Sequence, residues 1–510
     1  MAELKETCKK IWDFFKIEKA EDLSSKLSEV IFSSNSFQIY DEYIALVDDL
    51  EIDYIQKCYQ FFLADRGKNS MQQDYTPPCV AKLAAELSEC QSGDVVLDCC
   101  AGSGALTIAK HRQDNSLKFV CLELDENVIP LLLFNLAIRG IEATVINGNI
   151  LTEQYRHFYS VVPNGKYSTI TEIQNFQIPE CDACISNPPY NISWEPQQDE
   201  IFTKYGMPPK GNANFAFVLK CMKYIKAKSN AAMILPSAVL STANETLIRA
   251  NIVKNNALKT VIGLPTKMFE STSIATYIIV LTKDGDDTTI NMINATEVCH
   301  EEVRHQAGET HNSKRIYHKV MNVLQDGDIA TILKATKKCE NIPGFSIHVS
   351  INDLVANGYL WNPRRYIAIK KTEDTHRCYA DIVSDLRAIA KEKSAVKITM
   401  NETVARKLGY DEIYEDVAKS SDLTKHINEN LLKLLGLEPI EEKPWLALSK
   451  RAGEIKIENT SKDSISSVFM MFLPMLKQHI YYLNDTESKL LAELRDALLP
   501  DLMSGKIKVM

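Results

Sequence analysis

Asn187-Pro188-Pro189-Tyr190 follows the apolar-leaning stretch Cys181 to Ser186 and lies 89 residues beyond Asp98, where a glycine-rich loop begins. The side-chain oxygen of Asn187 can accept one hydrogen of an exocyclic amine. The Pro188 carbonyl can accept the other, because proline lacks an amide donor but keeps its acceptor. Adenine N6 is a poor nucleophile, since its lone pair is conjugated with the ring. Two acceptors aimed at the positive charge developing on it favour a more tetrahedral nitrogen during attack. The paired prolines, Pro188 and Pro189, stiffen the acceptor turn and stop regular strand pairing through it. Tyr190 offers an aromatic face to a base withdrawn from its duplex, and extrusion is needed because N6 is otherwise out of reach of a deep pocket. Phe215 and Phe217 are further candidates to hold that base, with packing of their own helix as the competing role.

A methyl donor is the other half of such a reaction. Val95-Val96-Leu97-Asp98 reads as a buried strand with a carboxylate at its tip, and Ala101, Gly102, Ser103 and Gly104 form a close turn into a helix starting near Ala105. The same loop in a dinucleotide enzyme binds pyrophosphate, so alone it does not choose between NAD and S-adenosylmethionine. Glu123 lies 25 residues beyond Asp98, near the spacing at which a second strand presents a carboxylate to ribose hydroxyls. Asn149 sits where a third strand can address adenine. Asp98 can face the amino group of a methionyl moiety, a contact that NAD does not offer. Tyr75 and Thr76, before the helix Val80 to Leu87, can receive the cofactor carboxylate, or Thr76 can cap that helix. A sulfonium methyl is already activated, so this chemistry requires no metal and no covalent protein nucleophile.

These residues need a scaffold that lines up strand ends. From Tyr75 to Leu281 short apolar runs alternate with amphipathic segments, as in an α/β unit. Strands are predicted at 95–97, 118–122, 144–147, 183–186, 231–235, 260–262 and 275–280, with helices between most of them, including 127–138 and 215–227. A largely parallel, doubly covered sheet places its site beyond the strands' carboxyl ends. The fold class is therefore α/β: a Rossmann-like methyltransferase domain over 71–330, a helical N-terminal domain over 1–70 with no chemistry of its own, an α/β or helical extension over 331–450, and a C-terminal amphipathic helix and docking tail over 451–510. Residues 282–330 read as a charged connector and helix, and Gly358 to Tyr366 as an ordered turn. In the tail Leu476, Leu483, Leu490 and Ala497 recur every seven residues, with Ile480 and Leu494 alongside. A helix over 473–499, with a partner helix covering this face, follows.

Composition bounds the rest. A chain of 510 residues with 45% hydrophobic and 25% charged content can bury more than one core. A net charge of -9 excludes uniform basicity, so any nucleic-acid surface is local or supplied by a partner. Lys204, Lys210, Lys220, Lys223, Lys226 and Lys228 make one such local region, as phosphate contacts or as a solvated face. Thirteen cysteines with no basic, apolar leader read as reduced thiols in the cytoplasm. Cys181-x-x-Cys184 lacks a second metal-spaced pair, and both it and Cys99-Cys100 read as packed small residues. No run approaches the roughly 20 apolar residues of a membrane span.

Taken together, Asp74-Tyr75-Thr76-Pro77, the loop from Asp98 to Gly104, Glu123-Leu124-Asp125, Asn187-Pro188-Pro189-Tyr190, the segment from Gly211 to Phe217, Val261 to Pro265 and Asn362 to Tyr366 resemble the modification subunit of Type I restriction-modification systems. These are adenine-N6 DNA methyltransferases, and the resemblance runs from about residue 72 to 366. It implies S-adenosylmethionine as cofactor and double-stranded DNA as substrate. As partners it implies a DNA specificity subunit, a second modification subunit and an ATP-dependent restriction subunit. Cys99 departs from the proline common at its position. The ending from Leu494 to Ile507 resembles the carboxyl ends of specificity subunits, and the chain contains no Gly-x-x-x-x-Gly-Lys-Ser/Thr motor segment. The same chemistry also serves methyltransferases of RNA or of protein glutamine, and the same fold serves a noncatalytic DNA-modification scaffold.

Overall fold

The computed structural model describes residues 2–18, 22–47, 50–63, 76–269, 274–307, 316–338, 341–367, 377–400, 446–448, 455–457, 479 and 482–498. Two compact units divide the chain, Met1–Lys370 and Lys371–Met510. The first begins with helices α1 (Ala2–Phe14), α2 (Asp22–Ile31), α3 (Ser36–Val47), α4 (Tyr54–Leu63) and α5 (Pro78–Leu87). Alternating elements follow: β1 (Val95–Asp98), α6 (Ala105–His111), β2 (Lys118–Glu123), α7 (Ile129–Ala137), β3 (Glu142–Asn149), the hairpin β4 (Gln154–Asn164) and β5 (Tyr167–Ile173), then β6 (Cys181–Ser186). After α8 (Glu200–Tyr205) and α9 (Asn214–Lys223) come β7 (Ile225–Pro236), α10 (Thr246–Lys254), β8 (Leu258–Gly263), β9 (Thr276–Thr282) and β10 (Thr289–Asn294). The unit closes with the ribbon β11 (His300–Ala307) and β12 (Ile316–Val323), α11 (Asp326–Lys338), β13 (Ser346–Ser350) and α12 (Ile351–Ala356).

Eleven strands form one sheet in the order β13-β10-β8-β9-β7-β6-β1-β2-β3-β4-β5. The run from β3 through β2, β1 and β6 to β7 is parallel, and β1 lies between β2 and β6. Its central strands β1 and β6 are buried along nearly their whole length, as strands covered on both faces are. β9 enters antiparallel between β7 and β8. A dinucleotide-binding sheet continues in parallel order at this point, so the reversed strand argues against the NAD alternative.

All seven predicted strands form. Helix 215–227 is shorter than expected, because Ile225 already pairs with Cys181 in the sheet. The connector expected over 282–330 is mostly strand. β11 and β12 pair only with each other, and a two-stranded ribbon outside the main sheet needs no apolar alternation to betray it. The hairpin of β4 and β5 escaped for a related reason: β4 is largely exposed, with Val161 alone buried along its length.

The N-terminal helices belong to the same compact unit as the sheet. Phe134 of α7 is fully buried, with its ring meeting Phe15, Tyr40 and Tyr43 near edge-on at 5.8, 5.5 and 5.1 Å. Such rings bury large areas and favour edge-to-face contact. The turn expected at Gly358 to Tyr366 is ordered: Trp361 is buried, its backbone N–H donates to the Leu240 carbonyl, and Asn362 Oδ1 accepts from the Arg364 amide.

In the second unit α13 (Tyr379–Met400) meets a helix over 482–498, and a short ribbon pairs β14 (Leu446–Leu448) with β15 (Ile455–Ile457). Leu483 and Leu490 of the heptad stripe are buried with Ile382 and Ile389, and Leu386 and Leu494 flank them. The face that the sequence leaves for a partner helix is thus covered by α13 of the same chain. Arg377 pairs with Glu493 and His479 with Glu392, so the two helices run antiparallel. Leu476 and Ile480 lie outside the described residues. No helix among the described residues is long and apolar enough to cross a membrane.

Replacing Phe134 with alanine removes the ring on which three aromatic side chains of the N-terminal helices converge. We expect a loss of about 3–5 kcal/mol in urea denaturation, with the midpoint lowered.

Candidate active site

Pairing of β1 with its two parallel neighbours assembles the site. Asp98 ends β1 opposite Cys121 of β2 and Ile185 of β6, and Glu123 ends β2 opposite Asn147 of β3. Asp98, Glu123, Asn149 and the turn Asn187 to Tyr190 therefore leave four neighbouring strands at the same edge. Asp98 is fully buried. Its Oδ2 accepts from Thr107 Oγ1 at 2.9 Å, while Oδ1 has no hydrogen-bond partner. Burial dominates and pushes its carboxyl up to about 7, against the pull of the Thr107 hydroxyl and the Cys100 amide.

The glycine loop is held from both sides. Ala101 N–H donates to the Leu122 carbonyl, and Gly102 N–H donates to Glu123 Oε2 at 2.9 Å. The other oxygen of Glu123 accepts from Asp125 N–H at 2.8 Å. Burial raises the Glu123 carboxyl, with these amides working against it. Gly102 has φ +54°, and a Cβ there would meet nothing within 4 Å, so the loop opens onto free space. Gly104, at φ +99°, abuts Leu132, whose Cδ1 would sit 3.0 Å from a Cβ. Ser103 Oγ donates to Asp53 Oδ2 at 2.8 Å, and Asn135 Nδ2 donates to the same oxygen at 3.0 Å and to the Ser103 carbonyl at 2.9 Å. Asp53 precedes α4, so the N-terminal helices reach into the loop, a contact across 50 residues that no local pattern marks.

Asn149 Oδ1 accepts from Leu151 N–H at 2.9 Å and shapes its own turn. Asn147, which sequence reasoning overlooked, fastens the chain after β2 by donating to the carbonyls of Glu123 and Leu124 at 3.1 and 3.2 Å. Asn187 is held by two hydroxyls. Its Nδ2 donates to Thr76 Oγ1 at 2.9 Å, and its Oδ1 accepts from Tyr190 OH at 2.7 Å. Thr76 thus holds the asparagine rather than capping α5, whose N-terminus has no side-chain cap. Pro188 is buried and Pro189 half-buried, and Tyr190 is 6% exposed. Asn191 and Asn214 tie the turn to α9 through a reciprocal pair at 2.9 and 3.0 Å.

Other expected contributors lie elsewhere. Phe215 is fully buried with its ring 5.7 Å from Trp361, and Phe217 is buried in the same apolar cluster. Tyr75 lies outside the described residues. The six lysines proposed as a basic region all pair with carboxylates: Lys204 with Asp284, Lys210 with Glu195, Lys226 with Asp182 and Lys228 with Asp286. Lys220 and Lys223 both bind Glu153 and Asp199 at 2.6 to 2.9 Å, and Lys220 is buried. Lys220 and Lys223 thus form a charge-matched network, and the other four make separate, more exposed pairs whose acidic partners the local sequence pattern does not mark.

Against known proteins, the family model described as N-6 DNA Methylase matches residues 50–375. The chain belongs to the N-6 DNA methylase family. The methylase subunit of the type I restriction enzyme MjaVIII from Methanocaldococcus jannaschii is 27% identical over 64% of this chain and 54% of its own length. The HindI methylase subunit from Haemophilus influenzae is 25% identical over 70% of this chain and 78% of its own. The chain thus spans from about half to three quarters of the length of these relatives. A crystal structure of the type I restriction-modification system methyltransferase subunit from Streptococcus thermophilus is 23% identical, covers 71% of this chain and 80% of that one, and has a TM-score of 0.51. That likeness supports the fold.

N-6 DNA methylases are S-adenosylmethionine-dependent. The site fits a cofactor of that kind, with an unpaired carboxylate oxygen on Asp98 suited to an ammonium group and an open cradle at Gly102 beside Glu123.

The raised carboxyl of Asp98 has a signed consequence for the free protein. Its folded value of about 7 lies above the ordinary 3.8, so its contribution to stability is fully present below 3.8 and is lost as pH rises through about 7. Asp98→Asn removes that titration. We expect the variant to gain on the wild type by roughly 2–4 kcal/mol at pH 8 and to lose this advantage near pH 4, measured by denaturant unfolding across that range.

Proposed function

We propose that this N-6 DNA methylase transfers a methyl group from S-adenosylmethionine to N6 of an adenine flipped out of double-stranded DNA. The observation that carries this is the Asn187 amide at the tip of β6, held by Thr76 and Tyr190, on the strand paired directly with β1 and its glycine loop. The hydroxyl donated by Tyr190 already uses Asn187 Oδ1 as an acceptor of hydrogen, the role that a target amine asks of it. When bound, the cofactor supplies an activated methyl group. Asp98 pairs with its ammonium group, Glu123 with its ribose hydroxyls and Asn149 with its adenine, while Ala101, Gly102, Ser103 and Gly104 shape the loop and Tyr75 and Thr76 take its carboxylate end. Asn187 Oδ1 and the Pro188 carbonyl accept from the target amine, Pro189 keeps the turn stiff, and Tyr190 shapes the base pocket, while Phe215 and Phe217 pack the core behind it.

The relatives are methylase subunits of type I restriction enzymes. We extend that setting to this chain: it acts as a modification subunit in a complex with a DNA specificity subunit, a second modification subunit and an ATP-dependent restriction subunit. The carboxylate pairing of Lys204, Lys210, Lys220, Lys223, Lys226 and Lys228 supports a separate DNA-reading partner. Among the segments 1–70, 71–330, 331–450 and 451–510, we assign the chemistry to the second, with the first bracing its glycine loop through Asp53.

Protein assembled with its specificity partner should move labelled methyl groups onto DNA, recovered as N6-methyladenine on nucleoside analysis. Asn187→Ala nearly abolishes transfer while far-UV circular dichroism stays unchanged. Thr76→Val keeps the shape but removes the hydroxyl that accepts from Asn187 Nδ2, and its rate falls by about tenfold to a hundredfold. Full transfer by Asn187→Ala, or label on RNA or protein alone, would overturn this reading.

A further inference from the structure

Three thiols that the methyl-transfer chemistry does not use come together below the strand tips. Cys99 follows β1, Cys184 lies in β6 and Cys221 lies in α9, and their sulfurs are all within 4.8 Å of one another. Cys221 and Cys184 are fully buried and Cys99 is 3% exposed. The sheet explains the meeting. Leu97 pairs with Cys184 and Asp98 with Ile185, so Cys99 and Ser186 follow opposite each other, and by strand alternation they share the face of Cys184. α9 covers that face and presents Cys221. Cys181, the nearest cysteine to Cys184 in sequence, does not join, and its thiol donates to the Pro179 carbonyl.

Ser186 supplies an independent observation. Its side chain is fully buried, and its Oγ makes no hydrogen bond of regular geometry, having the weak thiol partners Cys100 and Cys221 beside it. A buried hydroxyl without a partner forfeits roughly 1–3 kcal/mol unless something at the site satisfies it.

We propose that Cys99, Cys184 and Cys221, with Ser186 Oγ as fourth ligand, form a closed structural site for a thiophilic divalent metal ion, zinc being the physiological match. Zinc takes four ligands tetrahedrally with sulfur at about 2.3 Å, which needs sulfur separations of about 3.8 Å, so the thiols close by less than about 1 Å. Binding replaces three protons with one divalent ion: three thiols lose H⁺ to solvent, and three thiolates plus the ion leave a net charge of -1. A monovalent ion would leave -2 in an interior where charge is costly, which favours the divalent choice. An ion here cross-links β1, β6 and α9, the elements that carry Asp98, Asn187 and Asn214.

The test uses the full chain, stripped with chelator under reducing conditions and offered Zn(II), or Cd(II) as a spectroscopic probe. We expect one tightly retained ion per chain, a cadmium-thiolate charge-transfer band, three sulfur neighbours by X-ray absorption, and higher thermal stability with metal than without. Cys184→Ala and Cys221→Ala should each weaken retention about a hundredfold or more, and Ser186→Ala less, whereas Cys378→Ala at an exposed thiol should change nothing. No retained equivalent in the wild type, fewer than three sulfurs around the ion, or undiminished retention in both core variants overturns the proposal. The wild-type spectrum judges it even if a core variant fails to fold.

Discussion

Parallel pairing of β1 with β6 is the constraint on which the rest depends. It brings together two segments 89 residues apart, and no contact between their side chains is strong enough to replace it. The backbone ladder sets Asp98 against Ile185, and the two turns that follow inherit that register. A slip of one residue would move Cys184 to the face that Asp98 occupies and part it from Cys99. Asp182 at the start of β6 pins the register, because its Oδ2 accepts from Val95 N–H and its Oδ1 pairs with Lys226.

A second tier of contacts holds the turns once the strands have placed them. Asp53 grips Ser103 and Asn135, Glu123 grips the amide of Gly102, and Thr76 grips Asn187. Each is a polar group inside or at the edge of an apolar shell, where a satisfied hydrogen bond is strong and a broken one costly. Two of the three reach in from the region before β1. The N-terminal helices therefore act as a buttress for the glycine loop as well as a cover for α7.

What was legible in the sequence is what repeats locally. Val95 to Asp98 and Cys181 to Ser186 announce buried strands by composition, and Gly102 and Gly104 announce a loop of unusual backbone conformation. The heptad of Leu483 and Leu490 announces a coiled helix, though not that α13 would cover it. The remainder depends on pairings with no sequence period. Nothing near Lys220 reveals that Glu153 and Asp199 await it, and nothing near Ser103 reveals Asp53. Phe215 follows a polar turn as a base-stacking ring does, yet its partner is Trp361, 146 residues on. Aromatic type alone does not distinguish a ligand platform from a core plug.

The matched lysine network carries an electrostatic consequence. A free cationic face attracts a polyanion by shedding condensed counterions, and its affinity then falls steeply with salt. On the α9 side of this molecule each named lysine already has a carboxylate in place of a mobile anion. A phosphate arriving there must evict a tethered anion, an exchange that releases no small ion to the bulk. The paired lysines thus offer a polyanion little uncompensated positive charge on this surface.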